Sequence, residues 1–97
     1  MTHINIDGYK FEGPFNYELK FKETFPCVYF VIDSKKPIYV GITDDINERL
    51  SNHHKMDCWK RNSRSDCLYV YKESSEQNRI KIEKFLFDKY TPVCGDK

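Results

Sequence analysis

The sequence predicts an α+β fold in which antiparallel strands are flanked by helices and preceded by an additional N-terminal β-hairpin. Three observations predict it: a tight Asp7-Gly8 turn between two short alternating segments, three later runs rich in β-branched and aromatic residues, and two stretches with helix start and stop signals. With 97 residues and 39% hydrophobic content, the chain has room for one domain with one modest core. Seven Phe, seven Tyr and one Trp let a few large side chains bury the area a longer aliphatic chain would need, which argues for a folded domain.

Ile4-Asn5-Ile6 and Tyr9-Lys10-Phe11 alternate on either side of Asp7-Gly8, where glycine tolerates the positive φ of a primed hairpin turn. Gly13-Pro14 then breaks the chain, and the connector to Pro26 reads equally as extended or as a helical turn. Cys27 to Asp33 has the composition of a strand buried on both faces. Ser34-Lys35-Lys36 makes a polar turn into a second strand, Pro37 to Gly41, so the pair reads as an antiparallel hairpin. Thr43 is the expected N-cap of a helix running to about His54, with Asp44 and Asp45 in its first turn. A basic loop follows, then a third strand from Cys67 to Lys72. Ser74 and Gln77 form a capping-box pattern opening a last helix, which Pro92 ends.

A formal net charge of +1 does not announce a nucleic-acid partner, so any basic footprint has to be local. Lys55, Lys60, Arg61 and Arg64 face only Asp57 and surround Trp59, a candidate loop for tracking phosphates and stacking on a base. A solvated loop with one half-buried Trp explains the same residues. Cys27, Cys58, Cys67 and Cys94 form no CxxC pair and are expected to be reduced thiols. His53, His54 and Cys58 are a poor zinc set, because neighbouring residues on a helix point about 100° apart. No apolar run approaches the roughly 20 residues a membrane span needs, and no charged-then-apolar leader opens the chain, so a cytoplasmic, non-membrane protein is expected.

The last helix carries the most informative feature. On a helical wheel Ile80, Leu86, Phe87 and Tyr90 fall within about 60° of Glu83, which puts a carboxylate in the middle of the apolar face. Lys81, Lys84 and Asp88 lie opposite. An ionised carboxylate buried without compensation costs several kcal/mol, so Glu83 is expected to meet an arginine or a metal ion. An ordinary internal ion pair is the competing explanation. In the preceding helix Arg49 falls at the border of the apolar arc, where a side chain leans from the core into a cleft.

Cys27-Val28-Tyr29, about ten residues ahead of Tyr39-Val40-Gly41, with Arg49 eight positions beyond Gly41 and Glu83 on a later helix, resembles the GIY-YIG nuclease domain family. The resemblance covers roughly Pro26 to Gly95, and the chain is read as an N-terminal hairpin extension and connector (1–25) followed by a GIY-YIG-like nuclease domain (26–97). It implies a three-stranded antiparallel sheet flanked by helices, with both tyrosines, the arginine and the glutamate converging on one cleft. It also implies a metal-dependent endonuclease acting on DNA. Glu83 would hold one Mg²⁺ or Mn²⁺, and Arg49 would grip the scissile phosphate. Tyr39, with Tyr29 beside it, would orient or deprotonate the attacking water, and His53 would assist proton transfer.

Two departures stand out. Cys27 replaces the first glycine of the pattern, a mild change. Gly95, twelve residues after Glu83, replaces the family's asparagine and removes a bracing side chain of the kind that can be worth ten- to a hundredfold in activity. A nucleic-acid-binding module with weakened cleavage, or a protein-interaction domain of the same fold, are the alternatives. A protein partner or targeting domain is expected to choose the substrate.

Overall fold

The computed structural model describes residues 3–95. In chain order the elements are β1 (His3–Ile6), β2 (Tyr9–Phe15), β3 (Cys27–Asp33), β4 (Lys36–Thr43), α1 (Ile46–Ser51), α2 (Met56–Asn62), β5 (Leu68–Lys72) and α3 (Glu76–Tyr90). The strands form a single antiparallel sheet in the order β1-β2-β5-β3-β4. Its β5-β3-β4 part is the three-stranded sheet expected from the sequence, and the N-terminal hairpin extends it by pairing β2 with β5.

Both two-residue hairpin turns have positive φ at each central residue, at Asp7 and Gly8 and again at Ser34 and Lys35. This backbone twist matches that of the flanking strands, and the Asn5 side chain accepts the Gly8 N–H at 2.8 Å. Gly13-Pro14 does not break the chain as expected: β2 runs through it to Phe15, and its register on β5 shifts between Glu12 and Phe15. The shift absorbs the proline, which has no N–H to give the ladder. Residues 16–25 form neither strand nor helix. They are tied down by Asn47, which accepts the Phe21 N–H and donates to the Phe21 carbonyl.

Alternation along β3 sends side chains to two cores. Cys27, Tyr29 and Val31 pack with Ile46, Leu50 and Trp59 under α1 and α2. Val28 and Phe30 pack with Phe11, Val40, Ile82 and Leu86 under α3. Each fully buried aromatic or aliphatic side chain contributes about 1.5–3 kcal/mol of transfer free energy.

Several boundaries differ from expectation, each for a local reason. Thr43 does not cap α1. Its hydroxyl takes the Asp45 N–H, and Asp45 is the cap, accepting from the Glu48 N–H at 3.1 Å. The expected helix to His54 stops at Ser51, because Asn52 leaves helical geometry and the His53 ring takes the Lys55 N–H at 3.0 Å. The expected basic loop is then largely α2. In α3 the cap is Ser75 with Asn78, one residue later than predicted, since the Glu73 carboxylate accepts the Ser75 N–H. The helix ends where Thr91 turns left-handed before Pro92.

The cysteines are not all reduced. Cys58 and Cys94 form a disulfide, while Cys27 and Cys67 are free and buried. The bond ties α2 to the segment after α3, whose Val93 and Cys94 N–H groups donate to the Pro37 and Ile38 carbonyls and cover the outer edge of β4. Among the described residues no helix is long and apolar enough to cross a membrane.

Candidate active site

Tyr29 and Gly41 face each other across β3 and β4. A Cβ on Gly41 would lie 2.5 Å from the Tyr29 hydroxyl oxygen, 2.6 Å from its Cζ and 2.9 Å from the Tyr39 ring. The missing side chain at Gly41 is therefore the space in which the Tyr29 phenol lies. Tyr39 stacks on Tyr29 with centroids 6.0 Å apart, and His53 meets Tyr39 edge-on at 5.0 Å. Trp59 closes the cluster from α2, 4.3 Å from the His53 ring.

The Tyr29 hydroxyl lies 2.8 Å from His53 Nε2. Because His53 Nδ1 already accepts the Lys55 N–H, the ring proton sits on Nε2 and donates to the phenol oxygen. The Tyr29 O–H is then left to donate elsewhere. Burial pushes the His53 pKa down to about 4, helped by His54 and the cations Arg49 and Lys55, so the ring is neutral at pH 7. Burial raises the Tyr29 pKa above that of a free phenol, and Tyr39 adds to the rise. Arg49 opposes it and Glu83 reinforces it, so both charges reach the same hydroxyl.

Arg49 is exposed on α1 and lines a cleft of about 520 Å³ with Ile42, Thr43, Glu48 and Asn52 on one side and Glu76 and Arg79 of α3 on the other. Glu83 is half-buried. It is not in the middle of the apolar face as the wheel suggested: Arg79, Ile82 and Leu86 are buried, and Ile80 is 49% exposed. The buried arc of α3 is rotated by about one residue, which leaves Glu83 on its shoulder. Sequence reasoning missed Arg79 as the buried ionisable residue of this helix. The available signal was a cation one turn ahead of Glu83, on the same side of the wheel.

The structure packs Tyr29, Tyr39 and His53 together and puts Arg49 and Glu83 within electrostatic reach of the Tyr29 hydroxyl, but the basic segment behaves differently. Trp59 is fully buried under Tyr29 and Tyr39, so it offers no face to a base. Lys60 pairs with Glu18 at 3.7 Å, and Arg64 lies 3.6 Å from Asp33 and 3.9 Å from Asp66. The segment is a folded helix with its charges partly answered, whereas a basic loop reaching for phosphates would leave them open. Lys55 is half-buried and Arg61 exposed.

The donor set fits a hard divalent cation held loosely. Among the described residues no three His, Cys, Asp or Glu side chains converge. A single half-buried carboxylate, that of Glu83, suits Mg²⁺ or Mn²⁺, which keep several waters and take further oxygens from a substrate phosphate. The set does not suit zinc, which takes four protein ligands in structural sites and three in catalytic ones.

The family model for the GIY-YIG catalytic domain matches residues 25–95. Among solved structures, the GIY-YIG N-terminal endonuclease domain of UvrC from Thermotoga maritima, bound to magnesium as its catalytic divalent cation, is similar at 24% identity with a TM-score of 0.61. That match covers 74% of this chain and 84% of the other. A point mutant of the same domain, also bound to its catalytic divalent cation, matches at 24% identity and a TM-score of 0.62, over 75% of this chain and 84% of that one. A comparison with curated proteins finds no match. The structural likeness concerns the fold, and the family model supplies the membership: the chain belongs to the GIY-YIG catalytic domain family.

Proposed function

We propose that this domain hydrolyses DNA phosphodiester bonds with a single divalent ion, Mg²⁺ or Mn²⁺, held by Glu83. The observation that carries the proposal is the convergence on the Tyr29 phenol, which is bonded to His53, stacked on Tyr39 and within the electrostatic reach of both Arg49 and Glu83. When bound, the ion supplies charge neutralisation at the leaving oxygen and a lowered pKa for water.

Each residue then has a distinct task. Arg49, exposed at the cleft, grips the non-bridging oxygens of the scissile phosphate as charge builds on them. Tyr29 stays protonated because it is buried, so it serves as a donor that orients the attacking water. Tyr39, half-buried, is the phenol with solvent access: once it has given its own proton to solvent, its phenolate accepts a proton from the attacking water. His53 is too weak a base to shuttle protons at neutral pH, and its task is to position Tyr29.

The test is nicking of supercoiled plasmid and branched DNA in Mg²⁺ and Mn²⁺ by the wild type, Arg49→Ala and Glu83→Gln. The wild type alone should cut. Equal nicking by all three would point to a contaminant and remove the assignment. A second reading, a DNA-binding module of the same fold with weakened cleavage, draws on Gly95, which has no side chain to brace the site. Binding that falls steeply with salt, without any cutting, would favour it.

A further inference from the structure

One cation in the cleft has no part in the reaction as proposed. Arg79 is 5% exposed and lines the cleft with Arg49. Its Nη1 donates to the Glu73 carbonyl at 2.9 Å and the Ser74 carbonyl at 3.1 Å, which fixes the plane of the guanidinium. Its Nε–H is buried with no hydrogen-bond partner, and among the described residues no carboxylate forms an ion pair with it. The two carbonyls explain how the turn at residues 73–74 is held, but they do not neutralise the charge. A buried cation lacking a counter-ion is strongly disfavoured, and a planar fork held in a fixed orientation matches phosphate oxygens.

We propose that Arg79 is a second phosphate-binding residue, taking a backbone phosphate of the nucleic-acid strand adjacent to the one held by Arg49. The inference rests on the nuclease reading above and deepens it, since two guanidiniums in one cleft fix the path of the strand as well as the bond that is cut. The cleft also contains Asp44, Glu48 and Glu76, all exposed. Their charges are screened by solvent, whereas that of Arg79 is shielded from it, so an entering anion meets the buried cation most strongly.

The test uses the isotope-labelled full chain in EDTA, where a metal-dependent enzyme binds without cutting. A short duplex is titrated while the arginine Nε–Hε resonances are followed by NMR. The Arg79 resonance is expected to move as duplex saturates, and to stay in place with inorganic phosphate at the same concentration. In parallel, Arg79→Gln should make the slope of log affinity against log salt shallower by about 0.9. A resonance unmoved by saturating duplex overturns the inference, as does one moved by inorganic phosphate alone, which would mark a free-anion site. The resonance experiment needs no substitution, so it decides the matter even if Arg79→Gln fails to fold. Plasmid nicking by the wild type in Mg²⁺ separates the two levels: nicking with an unmoved resonance removes only the role of Arg79, whereas neither nicking nor duplex binding removes the nuclease reading as well.

Discussion

Replacing Gly41 with alanine places a methyl group where the Tyr29 phenol lies. The new Cβ would sit 2.5 Å from the hydroxyl oxygen and 2.6 Å from Cζ, so the ring must retreat by about 1 Å to reach ordinary contact. There is little room for that, because Tyr29 is 1% exposed and ringed by Tyr39, His53 and Trp59. Overpacking of this kind costs about 1–3 kcal/mol. The retreat also stretches the 2.8 Å bond to His53 and leaves a buried polar pair unmade, for about 1–3 kcal/mol more. A total near 3 kcal/mol lowers the melting temperature of a domain this size by about 10–20 °C. Displacing an orienting group by about 1 Å should cut the nicking rate by about a hundredfold. Thermal melts and plasmid nicking measure the two effects, and Tyr29→Ala provides the control: in that background Gly41→Ala should cost at least 1 kcal/mol less, because the clash with the Tyr29 ring has gone and only the 2.9 Å approach to Tyr39 remains. A Gly41→Ala protein that melts and cuts like the wild type would refute the account of why the glycine is there.

Three further outcomes follow from the same contacts. The His53 pKa is about 4 in the fold against 6.5 when unperturbed, so the unfolded chain binds the extra proton and stability falls as pH drops from about 6.5 to about 4. Urea titrations should show wild type losing about 2 kcal/mol between pH 7 and pH 5 that His53→Gln does not lose, and equal losses would contradict the neutral, buried ring. Reducing the Cys58–Cys94 bond, whose cysteines are 36 residues apart, should cost about 4 kcal/mol on loop-entropy grounds, read as a lower melting temperature in reductant; a Cys58→Ser, Cys94→Ser protein indifferent to reductant is the control. At Gly95, an added Cβ would lie 2.5 Å from Phe87 Cε2, so Gly95→Asn alone should destabilise. Combined with Phe87→Leu, Gly95→Asn should raise the nicking rate above that of Phe87→Leu alone if the missing asparagine limits catalysis, and an unchanged rate would count against that view.

Strands and tight turns were legible because their signals are local. The unbroken β-branched and aromatic run at 27–33 and the Asp7-Gly8 turn need no distant partner to be read. The Tyr39-Val40-Gly41 pattern also pointed correctly to the hairpin, although only the structure explains why glycine is needed there. What failed depended on partners far away in sequence. The break between α1 and α2 comes from the His53 ring taking a backbone N–H, a contact that also belongs to the Tyr29 site. The Cys58–Cys94 pairing is made by the chain returning along β4. Trp59 reads as a surface aromatic among lysines and arginines, yet it is the floor beneath two tyrosines. On α3 the wheel counted Ile80 as core and passed over Arg79, whereas the sheet beneath leaves Ile80 49% exposed and buries Arg79.

The N-terminal hairpin has a consequence for the family frame it joins. Residues 25–95 on their own would leave β5 with a bare row of backbone donors and acceptors, an invitation to pair with the same row on another molecule. The hairpin occupies that row from within the chain, and the Lys89 and Tyr90 side chains at the end of α3 bond Asp7 in its turn, so the graft is clasped at its far tip as well as along its seam. The bare edge is thereby moved from β5 to β1, a strand of only four residues, while Val93 and Cys94 already lie along the edge at β4, so little open ladder is left for a second copy to join.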